Sequence, residues 1–422
     1  MAERPEDDVD AALVAEVEAW VSTHWDPALP VAAWWAQVAA AGWAAPHFPE
    51  AWGGRGLPAR CQQLVREAFR RGGALPPPGG LGLLMAAPTI LSHGTPQQIE
   101  RLVPPILDGR VAWCQLFSEP GAGSDLAGLR TRAVRDGDRW VINGQKVWSS
   151  MAREADYGML LARTAPDRPK HAGISWFAFR LDQPGVDIRP LREATGHAIF
   201  NEVFLDEAVV EDADLIGGEG NGWSVTQTTL LFERTGIGAG GGMAGFPFPG
   251  PKNGVLARTA GDAAALPPPG SGTTVVSLQE LIELARRSGR SGDPILRQKL
   301  ARLATFERAG TWTALRARAL GPAGAGGGFA NIGKLIQSKI LKLAAEIGLD
   351  ITGPAGIATA PAGGDDGRYA DAVVFATASS IYGGTDEIQH NVIAERVLGL
   401  PREPDPDRQR PFAESVGGDH GG

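Results

Sequence analysis

The spacing of hydrophobic residues along the chain changes twice. Residues 10–112 carry apolar side chains at helical spacing, with Pro and Gly clusters between the segments. Residues 113–214 instead form short apolar runs separated by Asp-Gly, Asn-Gly and Pro-Gly turns, which is typical of β-strands. After Gly222 the helical period returns in the segments 226–234, 278–287, 296–320, 331–349 and 376–398. The pattern therefore predicts an α+β chain with helices on either side of a β domain.

This alternation predicts three domains and a tail. Residues 1–112 are expected to form an N-terminal α-helical domain, 113–218 a central β domain and 219–401 a C-terminal helical bundle. Residues 236–269 are rich in Gly, Pro and Ala and predict a long insertion within the bundle domain, either a lid or partly disordered. Residues 402–422 are rich in Pro, Gly and charge, which predicts a disordered tail.

The composition describes a globular protein without an excess of basic residues. Of 422 residues, 43% are hydrophobic and 21% are charged, so the body of the chain is expected to fold. The chain has 40 Lys and Arg against 48 Asp and Glu, a formal charge of −8. This balance provides no footprint for nucleic acid or for an anionic membrane.

Cysteines and the N-terminus bear on the compartment. Cys61 and Cys114 are the only cysteines and lack metal-type spacing, so neither a disulfide framework nor a metal site is expected. The acidic N-terminus does not look like a signal peptide, and a cytoplasmic protein is expected. Residues 27–49 contain no charged side chain but are Ala-rich and interrupted by Pro and Gly, which favours a core helix over a membrane span.

Two polar segments in the β region could bind a ligand. In residues 117–125, FSEPGAGSD, small residues let the backbone approach a ligand and hydroxyls can donate hydrogen bonds. A capped tight turn is the structural alternative. In residues 143–150, NGQKVWSS, an indole beside hydroxyls can stack on a flat heteroaromatic ring and meet its polar edge. A core Trp beside a hairpin explains the same letters equally well.

A third segment, residues 380–389, places two glycines before a helix. In SIYGGTDEIQ, exposed amides at the helix start could bind an oxyanion or a phosphate. The structural alternative is an N-cap formed by Thr385 or Asp386.

Taken together, these segments resemble the acyl-CoA dehydrogenase family over residues 10–401. The supporting strings are PHFP and WGG within 46–54, LSHGT at 91–95, CQLFSEPGAGSD at 114–125, INGQKVWSS at 142–150, NEVFLD at 201–206, IYGGTDEIQ at 381–389 and AERVLGLPR at 394–402. The resemblance implies a helical N-terminal domain, a central β domain and a C-terminal four-helix bundle, with FAD between the last two. It also implies α,β-dehydrogenation of an acyl-CoA, a step of the β-oxidation type, with an electron-transfer flavoprotein as acceptor.

The resemblance further implies roles for individual residues. The positions that match flavin contacts are Phe117, Ser118, Trp148, Ser150 and Thr385. The positions expected to bind substrate are Ser124, Arg234 and Gly384, and the amide of Gly383 matches a donor to the thioester carbonyl.

In the family a neighbouring subunit also reaches the FAD, so a homodimer or homotetramer is expected. The matching residues here are Arg290 or Arg287, Gln298, and a Gly-rich loop at 350–356 that contains Asp350 and Gly353. The aromatic-Gly pair that usually follows the Arg is absent, and Asp350 stands where a Gln is common.

The catalytic base is expected at Glu233. Many family members have the catalytic glutamate at the position that Gly383 occupies here. A branch resembling isovaleryl-CoA and long-chain acyl-CoA dehydrogenases also has Gly there and takes its base from an earlier helix, where Glu233 matches. The apolar residues before Glu233 suit a carboxylate whose pKa is raised by desolvation. A surface carboxylate in an ion pair is the structural alternative.

Two other functions of the same fold stay open. The chain could be an inactive or half-active partner in a heteromeric dehydrogenase, as in some bacterial steroid side-chain enzymes. It could also be an oxidase or flavin monooxygenase that reacts directly with O₂. The insertion 236–269 follows the helix of Glu233 and is expected to reshape the acyl pocket.

Overall fold

A computed structural model describes residues 5–238, 248–266, 275–320, 328–357 and 367–415. Within these ranges a helical region is followed by an eight-stranded sheet and then by a second helical region. The α+β fold class predicted from the hydrophobic pattern is confirmed.

The first helical region is built around a tryptophan-rich core. Its helices are α1 (Pro5–His24), α2 (Val31–Ala40), α3 (Cys61–Arg71), α4 (Ala87–His93, preceded by a π-turn at Gly82–Ala86), α5 (Pro96–Leu102) and α6 (Pro104–Leu107). Trp34 and Trp35 of α2 are fully buried, and their indole N–H groups donate to the carbonyls of Leu75 (2.8 Å) and Pro76 (2.9 Å). The charge-free stretch is therefore a core helix, as predicted.

In the described ranges, no helix combines the length and the apolar character that crossing a membrane requires.

The sheet is covered on both faces. Its strands are β1 (Trp113–Leu116), β2 (Arg132–Asp136), β3 (Arg139–Lys146), β4 (Tyr157–Arg163), β5 (Ile174–Arg180), β6 (Val186–Leu191), β7 (Phe200–Glu211) and β8 (Leu215–Ile216), in the order β6-β7-β3-β2-β4-β5-β8 with β1 parallel to β4. Trp176 of β5 faces the core shared with the first helices, whereas its neighbour Phe177 faces a separate core. A strand buried on both faces needs a continuous apolar run, which explains the sequence of β5.

The second helical region follows the sheet. Its helices are α7 (Gly222–Gly238), α8 (Ala260–Ala264), α9 (Leu278–Arg287), α10 (Pro294–Ala319), α11 (Phe329–Thr352), α12 (Arg368–Ala378) and α13 (Asp386–Val392). The helices α9 to α12 share a core around Leu281, Leu303 and Ile347. Helix α7 packs against α4, β5 and α11, so it contacts all three regions of the fold.

The predicted segment 376–398 is not one continuous helix. Helix α12 ends at Ala378, a turn follows, and α13 begins at Asp386. Gly383 and Gly384 have φ angles of 65° and 83° in this turn. That conformation interrupts a right-handed helix and costs glycine little, because glycine has no Cβ.

Part of the predicted insertion is packed against the body of the protein. The backbone N–H of Val31 donates to the carbonyl of Arg258 (2.9 Å), and that of Ala260 donates to the carbonyl of Leu29 (2.7 Å). The Lys252 ammonium donates to the carbonyl of Ala155 (2.6 Å). Residues 248–266 are therefore attached to the N-terminal helices and the sheet, while 239–247 and 267–274 lie outside the described residues.

The segment predicted to be a disordered tail is packed against the body of the protein at Pro411 and Phe412. Pro411 forms a β-bridge with Pro169, and Phe412 is only 8% exposed. The Phe412 ring lies against the Arg163 guanidinium, with 3.5 Å between the guanidinium carbon and the ring centroid. Composition predicted a polar, solvated tail, but the Phe412 ring and the backbone contacts around it dock this part of the segment. Residues 416–422 lie outside the described residues.

We expect the contact between α11 and α12 to forbid a side chain at Gly348. A Cβ at this position would lie 2.1 Å from Cδ1 of Tyr369, so Gly348→Ala should lower the free energy of unfolding by about 1–3 kcal/mol. Gly333→Ala on the same helix is the control, because no described atom lies within 4 Å of its Cβ position. That variant should be stabilised by about 1 kcal/mol or less through helix propensity. Urea denaturation measures the free energy of unfolding of each variant. If Gly348→Ala were stabilised as Gly333→Ala is, the close contact between Gly348 and Tyr369 would be refuted.

Candidate active site

Glu233 and Gly383 face each other across the junction of the three regions. Oxygen Oε1 of Glu233 lies 3.7 Å from the position that a Cβ on Gly383 would take. The side-chain amide of Gln115, on β1, donates to Oε2 of Glu233 at 3.3 Å. The carboxylate of α7 is therefore placed between β1 and the turn that precedes α13.

Helix α7 is fixed by its buried face. Val225, Thr226 and Thr229 are fully buried. The Thr89 hydroxyl of α4 donates to Oγ1 of Thr229 (3.0 Å), and Nε2 of His93 lies 2.8 Å from Oγ1 of Thr228. Since these contacts precede Glu233 by one to two helical turns, they determine where its side chain emerges.

The surroundings of Glu233 shift its proton affinity. Burial raises the pKa of the Glu233 carboxyl, while the hydrogen bond from Gln115 and the charge of Arg234 oppose this rise without cancelling it. A carboxylate with a raised pKa is a stronger proton acceptor than a solvated one. Burial in turn lowers the pKa of Arg234, which lies close enough to Glu233 and Arg396 to sense both charges.

The glycine turn opposite Glu233 presents backbone donors. Nε2 of Gln389 donates to the carbonyls of Gly383 (2.7 Å) and Gly384 (3.3 Å). Among the described residues, no group accepts from the N–H of Gly383 or of Gly384. The Thr385 hydroxyl caps α13 by accepting from the N–H of Ile388 (3.2 Å), so the predicted N-cap is present. The turn thus leaves two donors free beside a carboxylate.

An ionic network anchors this turn to α11. The Asp386 carboxylate accepts from Nζ of Lys334 (2.9 Å), from Ser338 (3.0 Å) and from Ser380 (2.6 Å). Desolvation acts to raise the pKa of Asp386, but these hydrogen bonds and the Lys334 charge outweigh it and hold the pKa below its usual range. Lys334 is almost fully buried. The position of Gly383 is therefore tied to the bundle.

On the sheet side, Trp148 is presented outward and is not a core residue. Its side chain is 56% exposed, and its φ angle of 61° lies in the left-handed region, which is rare for a bulky residue. Its only aromatic neighbour in the described chain is Phe200, edge-on with 5.8 Å between ring centroids. Hydrogen bonds between Ser149 and Asn201 hold the backbone on its far side. The exposed indole and the strained backbone together indicate a face kept for a ligand.

A buried ion pair holds the Trp148 segment against the Ser118 segment. Nζ of Lys146, fully buried, lies 2.8 Å from Oε1 of Glu119 and also donates to the carbonyl of Phe117 (3.1 Å). Glu119 accepts from the backbone N–H groups of Arg130 (2.6 Å) and Thr131 (2.9 Å). Desolvation acts to raise the pKa of Glu119, but Lys146 and these hydrogen bonds outweigh it and lower the pKa. Desolvation lowers the pKa of Lys146 despite Glu119.

The remaining predicted residues divide into two places. Ser118 and Ser150 are half-buried on either side of this ion pair, and Ser124 is exposed in the following loop. Arg290 instead lies at one end of the bundle, where its guanidinium donates to the carbonyl of Asp350 and forms an ion pair with Asp293 (2.9 Å). The three other predicted residues of that end are Asp350, paired with Lys299, Gly353, which ends α11, and Gln298, exposed on α10.

Comparison with known families covers all three regions. The family models match the N-terminal domain of acyl-CoA dehydrogenases at residues 4–110, the middle domain at 114–208 and the C-terminal domain at 272–398. Acyl-CoA dehydrogenase IpdE1 of Mycobacterium tuberculosis is 42% identical over 379 residues, 88% of each chain. The chain belongs to the acyl-CoA dehydrogenase family.

Other members of the acyl-CoA dehydrogenase family resemble the chain in sequence or structure. FadE34 of Mycobacterium tuberculosis is 37% identical over 93% of this chain and 48% of the relative. The solved structure titled Tcur3481-Tcur3483 steroid ACAD superposes with a TM-score of 0.71 at 26% identity, covering 96% of this chain and 100% of that one. The ChsE4-ChsE5 complex of Mycobacterium tuberculosis gives a TM-score of 0.68 at 25% identity, with the same coverage.

The acyl-CoA dehydrogenase family uses FAD, and the sheet side of the site has features that fit it. The exposed Trp148 offers a flat face. The buried hydroxyl of Ser149 has no hydrogen-bond partner among the described residues, and such an orphan group calls for a ligand or a water molecule. Gly121 and Gly123 have open space at their Cβ positions as far as the described chain extends. These residues leave room and polar groups for a flat cofactor.

Several site residues of this acyl-CoA dehydrogenase were missed from sequence. They are Gln115, Glu119, Lys146 and Ser149, all of which lie inside the strings that carried the family resemblance. Their letters alone give no reason to single them out, because Gln115 acts by facing a helix more than a hundred residues away. Lys146 gave no signal either, because it is the last residue of β3 and its burial appears only in the packed chain.

We expect Lys146→Met to destabilise the protein in a pH-dependent way. Removing one partner of a buried pair should cost about 3–5 kcal/mol near pH 7. Because Lys146 and the backbone hydrogen bonds hold the folded-state pKa of Glu119 below its usual range, its contribution to stability is present above the pKa of an unfolded-state glutamate and is lost as the pH falls. The deficit of the variant should therefore shrink on acidification, as measured by urea denaturation from pH 7 to pH 4.

The control is Arg71→Met, which breaks the half-exposed pair with Glu18 (2.8 Å). Such a surface pair should cost about 1 kcal/mol or less. If both variants lost the same free energy of unfolding, the buried pair of Lys146 would contribute no more to stability than a surface pair, contrary to this prediction.

Proposed function

We propose that this chain catalyses FAD-dependent α,β-dehydrogenation of an acyl-CoA, with Glu233 as the base. The observation that carries the proposal is the position of the Glu233 carboxylate, 3.7 Å from the Cβ position of Gly383. The chain lacks a carboxylate at residue 383, and another carboxylate supplied by α7 faces that point. A reaction that needs one base at this point can use a carboxylate from residue 383 or, as proposed here, the carboxylate of Glu233.

Glu233 removes the proton from the carbon α to the thioester carbonyl. Burial, which raises the pKa of Glu233, makes the carboxylate a better acceptor for a weakly acidic C–H. The hydrogen bond from Gln115 leaves Oε1 directed toward Gly383 and fixes the carboxylate before substrate binds. Gln115 is thus a positioning residue for the base.

The Gly383 turn stabilises the carbonyl oxygen as it acquires enolate character. The N–H groups of Gly383 and Gly384 stand at the start of a helix and are free among the described residues. Preorganised amides of this kind typically lower a barrier by about 3–4 kcal/mol each. The Asp386 network and the Gln389 side chain hold these amides in place without occupying them.

The residues proposed to hold FAD lie on the sheet side. They are Phe117, Ser118, Trp148, Ser150 and Thr385, with Ser149 added by its unpaired hydroxyl. FAD, when bound, supplies the acceptor for the β hydrogen, which leaves with its electron pair as the Cα=Cβ bond forms. Ser124 and Arg234 are proposed to contact the CoA part of the substrate, and an electron-transfer flavoprotein is the proposed acceptor of the electrons.

A bulky acyl group is proposed as the substrate class. The support is the printed title of one similar structure, which names a steroid ACAD, and the insertion beyond Glu233. Phe248 of that insertion packs against the core of the sheet. We retain the proposal that the insertion shapes the acyl pocket.

A heteromeric assembly is the second candidate. Two of the similar structures carry paired names in their titles, Tcur3481-Tcur3483 and ChsE4-ChsE5. Arg290, proposed to reach a neighbouring FAD, is held by Asp293 and by the end of α11 in its own chain. An exposed surface that includes Gln298 and Ile295 lies beside it. A chain that needs an unlike partner would gain flavin only when produced with that partner.

We expect Glu233→Gln to abolish reduction of the flavin by substrate. The amide keeps the shape of the side chain but cannot accept the α proton, so the rate should fall by about a thousandfold or more. The measurement is anaerobic bleaching of the flavin spectrum by a panel of straight-chain, branched and steroid-side-chain acyl-CoAs. Glu219→Gln, an exposed carboxylate just before α7, is the control and should bleach like the wild type.

Each outcome of this experiment separates the candidates. Equal bleaching in Glu233→Gln and wild type would remove Glu233 as the base. A chain purified without flavin would favour the heteromeric candidate. Rapid reoxidation of the bleached enzyme by air would indicate an oxidase.

We expect Gln115→Leu to move the acidic limb of the activity profile to higher pH. The hydrogen bond from Gln115 stabilises the ionised form of Glu233 and lowers its pKa. Without this bond the pKa rises further, so Glu233 stays protonated, and inactive as a base, up to a higher pH. The profile of kcat against pH checks this. Gln62→Leu, which breaks a side-chain hydrogen bond to His47 in the N-terminal region (3.2 Å), should leave the limb in place.

A further inference from the structure

The C-terminal segment 405–415, here called the strap, is built onto the loop between β4 and β5. The N–H of Phe412 donates to the carbonyl of Arg168 (2.8 Å), and that of Ala413 donates to the carbonyl of Pro166 (2.9 Å). The strap also brings the charges of Asp405 and Arg408 close to His171. Its attachment therefore combines backbone hydrogen bonds, a buried ring and charge.

The ring of Phe412 covers a buried guanidinium. Arg163 ends β4 and is 3% exposed. Burial lowers the pKa of Arg163 to about 10, although the charges of Glu119 and Asp125 oppose this. A cation that has lost water gains the most from an aromatic face, and the Phe412 ring provides one at 3.5 Å.

Arg163 in turn holds the loop that carries Ser124. Residues 120–130 are here called the substrate loop. The guanidinium donates to the carbonyl of Ala127 (2.7 Å) and, through Nε and Nη2, to that of Leu129 (3.2 and 3.1 Å). The same guanidinium donates to the carbonyl of Lys170 (2.9 Å), whose ammonium pairs with Asp125 (3.2 Å).

One contact chain thus runs from the C-terminus to the substrate loop. The Phe412 ring fixes the plane of the Arg163 guanidinium, and this plane determines which carbonyls of the loop it can bind. Glu119 holds the same end of the loop, because its carboxylate accepts from the backbone N–H groups of Arg130 and Thr131. Ser124 lies three residues before the first of these anchors and is exposed.

We propose that the strap fixes the substrate loop through Arg163, and that Phe412 is a positioning residue for binding of the CoA thioester. The part of this inference that concerns substrate rests on the proposed function. The part that concerns the loop does not. Phe412 contacts neither the proposed base nor the proposed flavin side, so its effect is on substrate affinity.

The experiment compares Phe412→Ala with Phe412→Tyr in the full chain. In Phe412→Ala we expect hydrogen exchange of the amides at 126–130 to accelerate by about three- to thirtyfold, the range of a desolvated cation–π contact. KM for acyl-CoA should rise by about threefold or more, with kcat and flavin content within about twofold of wild type. Phe412→Tyr keeps an aromatic face and should restore both values.

Deletion of residues 416–422 is the control and should leave exchange and KM unchanged. Unchanged exchange at 126–130 in Phe412→Ala would overturn the proposal, as would Phe412→Tyr behaving like Phe412→Ala. If Phe412→Ala accelerates exchange but no acyl-CoA reduces the flavin of the wild-type protein, the inference about the loop stands and the proposed function is refuted. Faster exchange with kcat lowered and KM unchanged would refute the role in substrate binding.

Discussion

The buried pair of Lys146 and Glu119 is the contact on which the sheet side of the site depends. Burying two charges is costly unless each is fully paired and hydrogen-bonded. Here the ammonium also reaches the carbonyl of Phe117, and the carboxylate also accepts two backbone N–H groups. The pair thereby fastens the end of β1, the end of β3 and the base of the substrate loop at one point. Trp148 emerges two residues beyond it, with a backbone conformation that a bulky residue adopts only when its surroundings impose it.

The helical side of the site depends on α7, which contacts each region of the fold. Its buried threonines bind α4, its side packs on β5, and Glu233 emerges where the sheet meets the bundle. The opposite wall is the turn of Gly383, fixed from α11 through Asp386. The proposed base and the proposed backbone donors therefore come from different parts of the helical region and are held by separate buried networks. Such separate support is what a reaction needs when a proton acceptor and an oxyanion site must keep a constant separation.

Two segments from the C-terminal half of the chain pack against earlier parts of it. Residues 248–266 bind the edge of α2 and the loop before β4, and the strap binds the loop before β5. Composition predicts little fixed structure in either segment, because Gly, Pro and Ala dominate the first and Pro, Gly and charge dominate the second. In each case a few residues reverse that expectation: the backbone of Arg258 and Ala260 in one, the ring of Phe412 in the other. Composition averages over a segment, whereas docking depends on a few individual residues, through their backbone or their side chain.

The sequence by itself determined the succession of helical, β and helical regions and the family, and it led to the hypothesis that Glu233 takes the place of a carboxylate missing at Gly383. These follow from local periodicity and from strings in fixed order, and neither requires knowing which segments touch. Only the tertiary structure decided that Trp148 points outward, that Gln115 binds Glu233, and that the segment around Phe412 is docked. The break before α13 lies between these cases. Two adjacent glycines indicate a turn there, but the helical spacing of the apolar residues on both sides predicts one continuous helix. Contacts between residues a hundred or more positions apart leave no local signal, because burial and partner are properties of the packed chain.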